Sequence, residues 1–503
     1  MNLQYVPVPM NMPDPEASPR SKFSLDVLTL VKGTTVSLIV TILASPVITR
    51  LYGPEAFGLA ALFASITSLL SVVACLSYEP AIVLPKQDEE AANVFGLCIV
   101  IVVCVSLATI PILLVFQQPI IQFLKAPELG PFILLIPLMV LVSGTFLALN
   151  LWNTRTQHYY RLSIARITNS FSTTGTQLGF GFLGYTSGGF LIGAAIFGQL
   201  ASTFILGLQI LRDHLTFFRQ NITREKMIEA FKQYSNFPKY QVMGSLINSL
   251  SWQLPIFLLS SFFSKTIVGY YSLGMMVIQT PISVIGAAIA QVFFQRAAMA
   301  KHEGNLSIIF TDTYSFLIKI SLFPLLLLTF IGKDLFVFLF GPLWGEAGYF
   351  IQILSVFAVS LFITSPLSSI LSILGKQKIG FVLSSISLVL RFSSIYIGGI
   401  LGDAALAILL FSLSGMVGYG CSGIFFMHLA GVKVQKTLKI IMKNFIVFLP
   451  AGIIMLLAKI MNVDSSIAII LAALLLLVYF AYLIKTDTTI REILVNYRLI
   501  KHA

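Results

Sequence analysis

Residues Ile379–Ile400 read IGFVLSSISLVLRFSSIYIGGI, and this stretch decides the fold class of the chain. It contains no carboxylate and a single charge, Arg391. A helix needs about 20 predominantly apolar residues to cross the hydrocarbon core of a bilayer. The stretch therefore predicts a transmembrane helix with a buried cation near its middle.

Stretches of this kind repeat along almost the whole chain. Of the 503 residues, 57% are hydrophobic and 10% are charged, whereas soluble domains carry about 25% charged residues. The composition predicts an all-α polytopic membrane protein. About fourteen transmembrane helices are expected, at residues 24–49, 56–77, 92–116, 131–152, 163–185, 188–211, 240–263, 266–294, 312–332, 347–373, 378–400, 403–428, 437–460 and 465–485.

The basic residues predict the orientation of these helices, because cytoplasmic loops are enriched in Lys and Arg. With the N-terminus inside, 24 of the 32 basic residues fall on cytoplasmic segments and 5 on outer segments. We expect a multi-pass protein of the cell inner (cytoplasmic) membrane with both termini in the cytoplasm. The same bias accounts for the net charge of +12, so no nucleic-acid partner is expected.

Two short motifs divide the chain into halves. Leu51–Leu59 reads LYGPEAFGL after the first helix, and Phe262–Tyr270 reads FFSKTIVGY after the seventh. Both have two large apolar residues, a turn and then a glycine, at an offset of 211 residues. Because six helices separate the motifs, the halves share one orientation and predict a parallel repeat.

A basic connection lies at the seam between the halves. It is amphipathic, which predicts an interfacial helix on the cytoplasmic leaflet; a plain solvated linker is the alternative. The predicted organisation is a disordered cytoplasmic tail (1–23), a six-helix lobe (24–211), the linker (212–239), a second six-helix lobe (240–428), two further helices (429–485) and a cytoplasmic tail (486–503).

Three basic residues lie well inside predicted helices, namely Lys32, Lys319 and Arg391, whereas the 20 acidic residues fall in connections, tails or helix ends. A charge in a bilayer is costly and usually faces a wet cavity, so cations without anions indicate an anionic cargo. Each cation also has a structural interpretation. Arg391 would hydrogen-bond backbone carbonyls at a helix break, and Lys32 would snorkel to the interface. Snorkelling is the favoured interpretation for Lys319.

Polar and aromatic residues within the helices complete the predicted substrate cavity. Amide side chains would hydrogen-bond sugars, or would only join helices to one another, and an aromatic ring would support a sugar face. The candidates are Asn169, Gln177, Asn248, Gln253, Gln279 and Trp252. Arg50, at the outer end of the first helix, would guide the exit of cargo or anchor that helix. The sequence has neither a P-loop nor a metal-ligand cluster, so no catalytic residue, metal or cofactor is expected.

Two motifs resemble a known family. Arg50–Gly58 (RLYGPEAFG) is similar to the signature after the first helix of polysaccharide transporters, and Trp152–Tyr160 (WNTRTQHYY) to their link between helices 4 and 5. The chain thus resembles the O-antigen and capsule repeat-unit flippases of the multidrug/oligosaccharidyl-lipid/polysaccharide exporter superfamily. The resemblance implies two six-helix lobes around a central cleft, plus two C-terminal helices. It also implies alternating access that turns an undecaprenyl-diphosphate-linked oligosaccharide to the outer leaflet for surface polysaccharide biosynthesis. Membrane lipids and polysaccharide polymerase machinery are the other expected partners.

Other functions remain as alternatives. A flippase for another lipid-linked cell-wall precursor needs nearly the same chemistry and stays open. A cation-coupled multidrug exporter needs a buried carboxylate, whereas Asp26, the one acid of the first predicted helix, lies near its inner edge. A membrane glycosyltransferase or polymerase usually presents a large outer loop, and the longest outer connection here runs only over residues 116–130. A transporter rather than an enzyme is therefore expected.

Overall fold

The computed structural model describes residues 19–487, with side chains from residue 33 onward. The predictions for the tail before residue 19, for the tail beyond residue 487 and for the side chain of Lys32 lie outside these residues. Throughout the described part the long elements are helices and no strand occurs. They are α1 Pro19–Leu51, α2 Pro54–Ser71, α3 Asp88–Leu124, α4 Ile136–Arg155, α5 Tyr159–Phe182, α6 Gly188–Asn221, α7 Arg224–Gln233, α8 Val242–Phe262, α9 Lys265–Glu303, α10 Leu306–Phe340, α11 Gly345–Leu367, α12 Gln377–Ile400, α13 Ala404–Leu429, α14 Val434–Ile460 and α15 Ser465–Thr486.

The long helices follow one another in the predicted order, and α7 lies within the segment predicted as the linker. Within residues 19–487, thirteen helices are long and apolar enough to cross a membrane. The exception among the fourteen predicted spans is α5, whose sequence is rich in Ser, Thr, Asn and Gln. The structure explains this polarity, because α5 packs on both α1 and α6 and its polar side chains between Asn169 and Gln177 are buried or half-buried, whereas Phe171 and Phe182 are exposed. A helix face shielded from lipid by its neighbours tolerates polar side chains.

Packing divides the helices into two lobes and an appendage. In the first lobe, α5 packs on both α1 and α6, and α3 packs on α4. In the second lobe, α11 packs on α10 and α13, and α12 packs on α8 and α13. The last two helices, α14 and α15, lie against α10 on the outside of the second lobe. Six-helix lobes plus a C-terminal pair agree with the predicted fold class.

The two repeated motifs pack directly against each other. A Cβ atom added to Gly58 would lie 1.7 Å from the Lys265 carbonyl oxygen, and one added to Gly269 would lie 1.9 Å from the Pro54 carbonyl oxygen. Residues 54 and 265, like residues 58 and 269, differ by the repeat offset of 211. Such reciprocal contacts are what a two-fold axis between like surfaces produces. They support the predicted parallel repeat and place its axis between α2 and α9.

The predicted linker starts later than expected, because α6 continues to Asn221 before the short helix α7 begins. The linker also docks on the first lobe. The Asn93 side chain donates to the Asn221 carbonyl oxygen at 2.9 Å and accepts from the Thr223 backbone N–H at 2.9 Å. The Tyr78 hydroxyl donates to the Phe231 carbonyl oxygen at 2.9 Å. The linker is therefore an amphipathic helix attached to the first lobe.

Candidate functional site

A cavity of about 670 Å³ lies between the lobes. Helices α1, α2, α5 and α6 of the first lobe and α9 of the second form most of its wall. Among the wall residues, one is charged, Arg166, and none that the structure describes is a carboxylate. The other polar wall residues are Thr34, Ser37, Thr41, Ser45, Asn169, Ser170, Thr173, Thr174, Gln177, Gln199, Ser272 and Ser283.

One face of α1 supplies a row of hydroxyl groups. Thr34, Ser37, Thr41 and Ser45 recur every three or four residues, which places them on one side of a helix over about 17 Å. The Ser37 and Thr41 hydroxyls donate to carbonyl oxygens one turn earlier, at 2.9 and 3.0 Å. A hydroxyl has one donor and two acceptor sites. These groups are therefore satisfied within the helix and still present acceptor sites to the cavity.

Helix α5 supplies the second polar row and is joined to its neighbours by hydrogen bonds. The Ser170 hydroxyl donates to the Ser37 carbonyl oxygen at 2.8 Å. The Asn169 amide donates to Gln199 Oε1 at 2.9 Å. Asn169 and Gln177, both predicted from the sequence, lie in the cavity wall. Their contact with a cargo stays a prediction.

Arg166 is a cavity residue that the sequence interpretation misses. It is exposed in the wall, and its guanidinium donates to the Thr34 hydroxyl. The count of loop charges assigns it to the cytoplasm, because α5 is expected to begin at residue 163. The helix begins four residues earlier, at Tyr159, and carries Arg166 two turns inward. A signal was available, because Arg166, Ser170, Thr173 and Gln177 share one helical face.

Ion pairs join the lobes at the end of the molecule where α1 leads into α2, which is the predicted outer face. Lys265 Nζ lies 2.6 Å from Glu55 Oε1 and also pairs with Glu128. Lys265 begins α9 of the second lobe, whereas both carboxylates belong to the first. The hydrogen bond from Lys265 lowers the pKa of the Glu128 carboxyl below its usual value. Together with the Gly58–Gly269 contact, these pairs close that end of the cavity.

Two helix ends are capped across the same interface. The Trp344 indole N–H donates to the Thr49 carbonyl oxygen at the end of α1, at 2.9 Å. Arg50 donates to the Phe338 carbonyl oxygen at the end of α10, at 3.1 Å. Carbonyls in the last turn of a helix have no partner within the helix, so each lobe satisfies a group of the other. Arg50 is predicted as an exit or anchor residue. In the structure it also holds the two lobes together through its hydrogen bond to the Phe338 carbonyl oxygen.

Arg391 lies inside the second lobe, away from the wall of the central cavity, and is 2% exposed. It donates to the Ser251 carbonyl oxygen at 3.0 Å, to the Ser251 hydroxyl at 3.1 Å and to the Tyr419 hydroxyl at 3.0 Å. Its guanidinium carbon lies 4.1 Å from the centre of the Trp252 ring. Because Pro255 has no N–H, the Ser251 carbonyl lacks its helical partner. This arrangement matches the structural alternative given for Arg391, and its contact with cargo stays a prediction.

Lys319, for which snorkelling was the favoured interpretation, lies on α10 beside the C-terminal helix. Its Nζ atom is 2.5 Å from Asp487 Oδ2, and its side chain is 29% exposed. The Tyr479 hydroxyl donates to the Lys319 carbonyl oxygen at 2.7 Å. Lys319 therefore attaches α15 to the second lobe.

The remaining predicted residues lie on α8 and α9 outside the cavity wall. Gln253 donates to the Ser68 hydroxyl at 3.3 Å and so joins the lobes in the last turn of α2. Trp252 packs on the Arg391 guanidinium. Asn248 and Gln279 are exposed. Of the polar residues proposed from the sequence, the structure thus brings two into the cavity.

The sequence matches a known family. The family model for polysaccharide biosynthesis proteins covers residues 47–349, which is more than half of the chain. The chain belongs to this family. It is also similar to the teichuronic acid biosynthesis protein TuaB of Bacillus subtilis (strain 168), at 22% identity over 231 residues, which are 45% of this chain and 47% of that protein. The match therefore spans about half the length of that relative.

Solved structures show the same fold. A structure of the lipid II flippase MurJ in an inward closed conformation superposes with a TM-score of 0.64 at 14% identity, over 92% of this chain and 99% of that one. An inward-facing multidrug resistance transporter of the MATE family superposes with a TM-score of 0.59 at 16% identity, over 83% and 98%. The chain therefore has the same fold as these two solved structures.

Proposed function

We propose that the protein is a flippase that carries an undecaprenyl-diphosphate-linked oligosaccharide repeat unit from the inner to the outer leaflet for surface polysaccharide biosynthesis. The observation that carries this proposal is the composition of the cavity wall: twelve neutral polar side chains, one arginine and no carboxylate among the wall residues that the structure describes. Membership of the polysaccharide biosynthesis family supports the same cargo class.

Arg166 supplies the charge that a diphosphate requires. A guanidinium presents several N–H donors in a planar fork that suits phosphate oxygens. A charged hydrogen bond in a partly desolvated site contributes more than a neutral one. The hydroxyls of α1 and α5 lie on the same wall and offer donors and acceptors to sugar hydroxyls. The polyprenyl tail needs no polar path and remains in the lipid.

Alternating access follows from where the lobes touch. Their ion pairs and helix-end caps concentrate at the predicted outer face, whereas Thr34 and Arg166 lie at the opposite end of the cavity wall. In the predicted orientation, the cavity therefore receives cargo from the cytoplasmic side. Separation of Lys265 from its two carboxylates, with α2 sliding off α9, would expose the same polar wall to the outer side.

A reconstituted flipping assay tests the proposal. The full chain is placed in vesicles that contain a fluorescent polyprenyl-diphosphate oligosaccharide, and an impermeant reductant reports the fraction of label in the outer leaflet over time. The wild-type protein is expected to speed exchange. Because a hydrogen bond to a charged group contributes about 1.5–3 kcal/mol, Arg166→Ala is expected to lower apparent affinity roughly 10- to 150-fold. Arg166→Lys is expected to retain part of it.

Arg219→Ala is the matched control, because Arg219 is an exposed arginine at the end of α6 and outside the cavity wall. It removes the same charge and is expected to leave flipping unchanged. Equal losses from the two variants would contradict a cavity role for Arg166. An active protein that moves a cationic dye but not the lipid-linked diphosphate would favour the multidrug alternative.

A further inference from the structure

The first turns of α14 carry a row of lysines. Four lysines occur within eleven residues, beginning at the residue that precedes the helix, and all are exposed: Lys433, Lys436, Lys439 and Lys443. At 3.6 residues per turn they occupy an arc of about 120° on one side of the helix. We call this set the lysine face. It lies at the predicted cytoplasmic end of the C-terminal helix pair, remote from the cavity.

The lysine face has no counter-charge close by in the sequence. Between Asp403 and Asp464 the chain contains no acidic residue. Within the described residues, none of the four lysines takes part in an ion pair. Positive charge near the start of a helix is disfavoured by the helix dipole, and α14 has no acidic residue in its first turn. The charge on this face is therefore unbalanced within the described protein.

The depth of the lysine face fits the membrane surface. Helix α14 has 27 residues, or about 40 Å at 1.5 Å per residue, whereas the hydrocarbon core is about 30 Å thick. The excess of about 10 Å places the first turns among the lipid headgroups. A different side of the same turns exposes apolar side chains: Leu438 is 50% exposed, Met442 59% and Phe445 43%. Apolar groups beside lysines suit acyl chains beneath phosphates.

We propose that the lysine face binds the phosphates of anionic phospholipids in the predicted cytoplasmic leaflet and so anchors the C-terminal helix pair. The occupant is bulk phospholipid rather than cargo, because the face lies on the outer side of α14 and not on the cavity wall. The exposed apolar side chains beside it favour a lipid surface over a soluble acidic partner.

Native mass spectrometry of the purified full chain tests this proposal. Phosphatidylglycerol and phosphatidylethanolamine are titrated separately, and the number of lipids retained is counted. The wild-type protein is expected to bind phosphatidylglycerol in preference. Since a basic residue near an anionic surface strengthens binding about fivefold, the double variant Lys436→Gln/Lys439→Gln is expected to weaken the binding of phosphatidylglycerol about 25-fold. The Lys436→Arg/Lys439→Arg variant is expected to bind like the wild type.

Lys376→Gln/Lys378→Gln is the matched control, because these two lysines are also exposed at the predicted cytoplasmic side, at the start of α12. It removes the same charge and is expected to keep the preference. Equal losses in the two Gln variants, or equal binding of both phospholipids by the wild type, would overturn the proposal. Binding of undecaprenyl diphosphate but not phosphatidylglycerol at this face would also overturn it, and would assign the face to cargo. None of these readouts depends on flipping.

Discussion

Replacement of Arg391 by alanine tests whether this buried cation serves packing or transport. In the wild type its guanidinium satisfies the Ser251 carbonyl oxygen at 3.0 Å and lies 4.1 Å from the Trp252 ring centre. The partner that this carbonyl would have in a regular helix is the N–H of residue 255, which is a proline. Arg391→Ala therefore leaves a buried carbonyl without a donor.

The expected loss of stability can be worked out from these contacts. An unsatisfied buried polar group costs about 1–3 kcal/mol, and a desolvated cation–π contact contributes about 2 kcal/mol. Arg391→Ala is thus expected to destabilise the second lobe by about 3–5 kcal/mol. Pro255→Ala restores an N–H that can reach the Ser251 carbonyl. The arginine should therefore matter less in a Pro255→Ala background.

Unfolding by sodium dodecyl sulfate in mixed micelles can measure this coupling. The four proteins of the cycle are the wild type, each single variant and the double variant. We expect Arg391→Ala to cost at least about 1 kcal/mol less in the Pro255→Ala background, because residues that share a partner are not additive. The same proteins are tested for surface polysaccharide in the native host.

Additive losses would refute the carbonyl argument. A second outcome would refute it more directly. If Arg391→Ala unfolds like the wild type yet abolishes polysaccharide export, and Arg391→Lys restores export while Arg391→Gln does not, the residue acts on an anionic cargo. That result would support the cavity prediction, in a conformation where the second lobe opens towards the centre.

Three further predictions concern closure and anchoring. Gly58→Ala is expected to favour the outward-open state by about 1–3 kcal/mol, because its Cβ would overlap a backbone carbonyl. The accessibility of cysteines introduced at the outer end measures this shift. The control is Gly53→Ala, whose Cβ would meet no atom within 4 Å. Lys319→Ala is expected to cost about 1–2 kcal/mol, less than for a fully buried pair; Lys319→Ala/Asp487→Ala should cost less than the single change. The pKa of Glu128 is lowered in the closed state. The stabilisation of the closed state by Glu128 should therefore be fully present at pH values above the usual carboxyl pKa, and should be lost as the pH falls through the lowered pKa. Spin-label distances across the outer end measure this change.

Much of the fold follows from elementary properties of the chain. Apolar length predicts every long helix of the described lobes except the polar α5, and loop charge predicts how the helices alternate in direction. The repeat was visible because Gly58 and Gly269 serve the same purpose, a close backbone approach between α2 and α9. Helix ends were predicted less well, because α3, α6 and α10 extend beyond their apolar segments. The sequence alone does not reveal how far a polar extension remains helical.

The site was harder to predict because the meaning of a charge depends on its neighbours. Arg166 resembles a loop residue until α5 is known to begin at Tyr159. Arg391 resembles a cavity residue until the Ser251 carbonyl, freed by a proline four residues later, is found beside it. Both cations lie within helices, yet one faces open space and the other a packed lobe. Hydropathy does not distinguish these two environments. A proline in another helix does help, because it leaves a backbone carbonyl four residues earlier without its N–H donor and so provides a partner for a buried arginine.

Among the wall residues that the structure describes there is one cation, Arg166, and a single charge suits a proposed cargo that must leave as well as arrive. The protein has to bind the proposed diphosphate cargo strongly enough to draw it from one leaflet and weakly enough to release it on the other side. Arg166 as the single charge of the described wall, among hydroxyls already satisfied by their own helices, provides moderate attraction. A second cation at the same depth would make the binding of an anionic cargo stronger and its release slower. Arg391 is enclosed within the second lobe, so its charge lies away from the wall of the central cavity. In the proposed mechanism, Arg166 is therefore the one charge of the described wall that attracts the cargo.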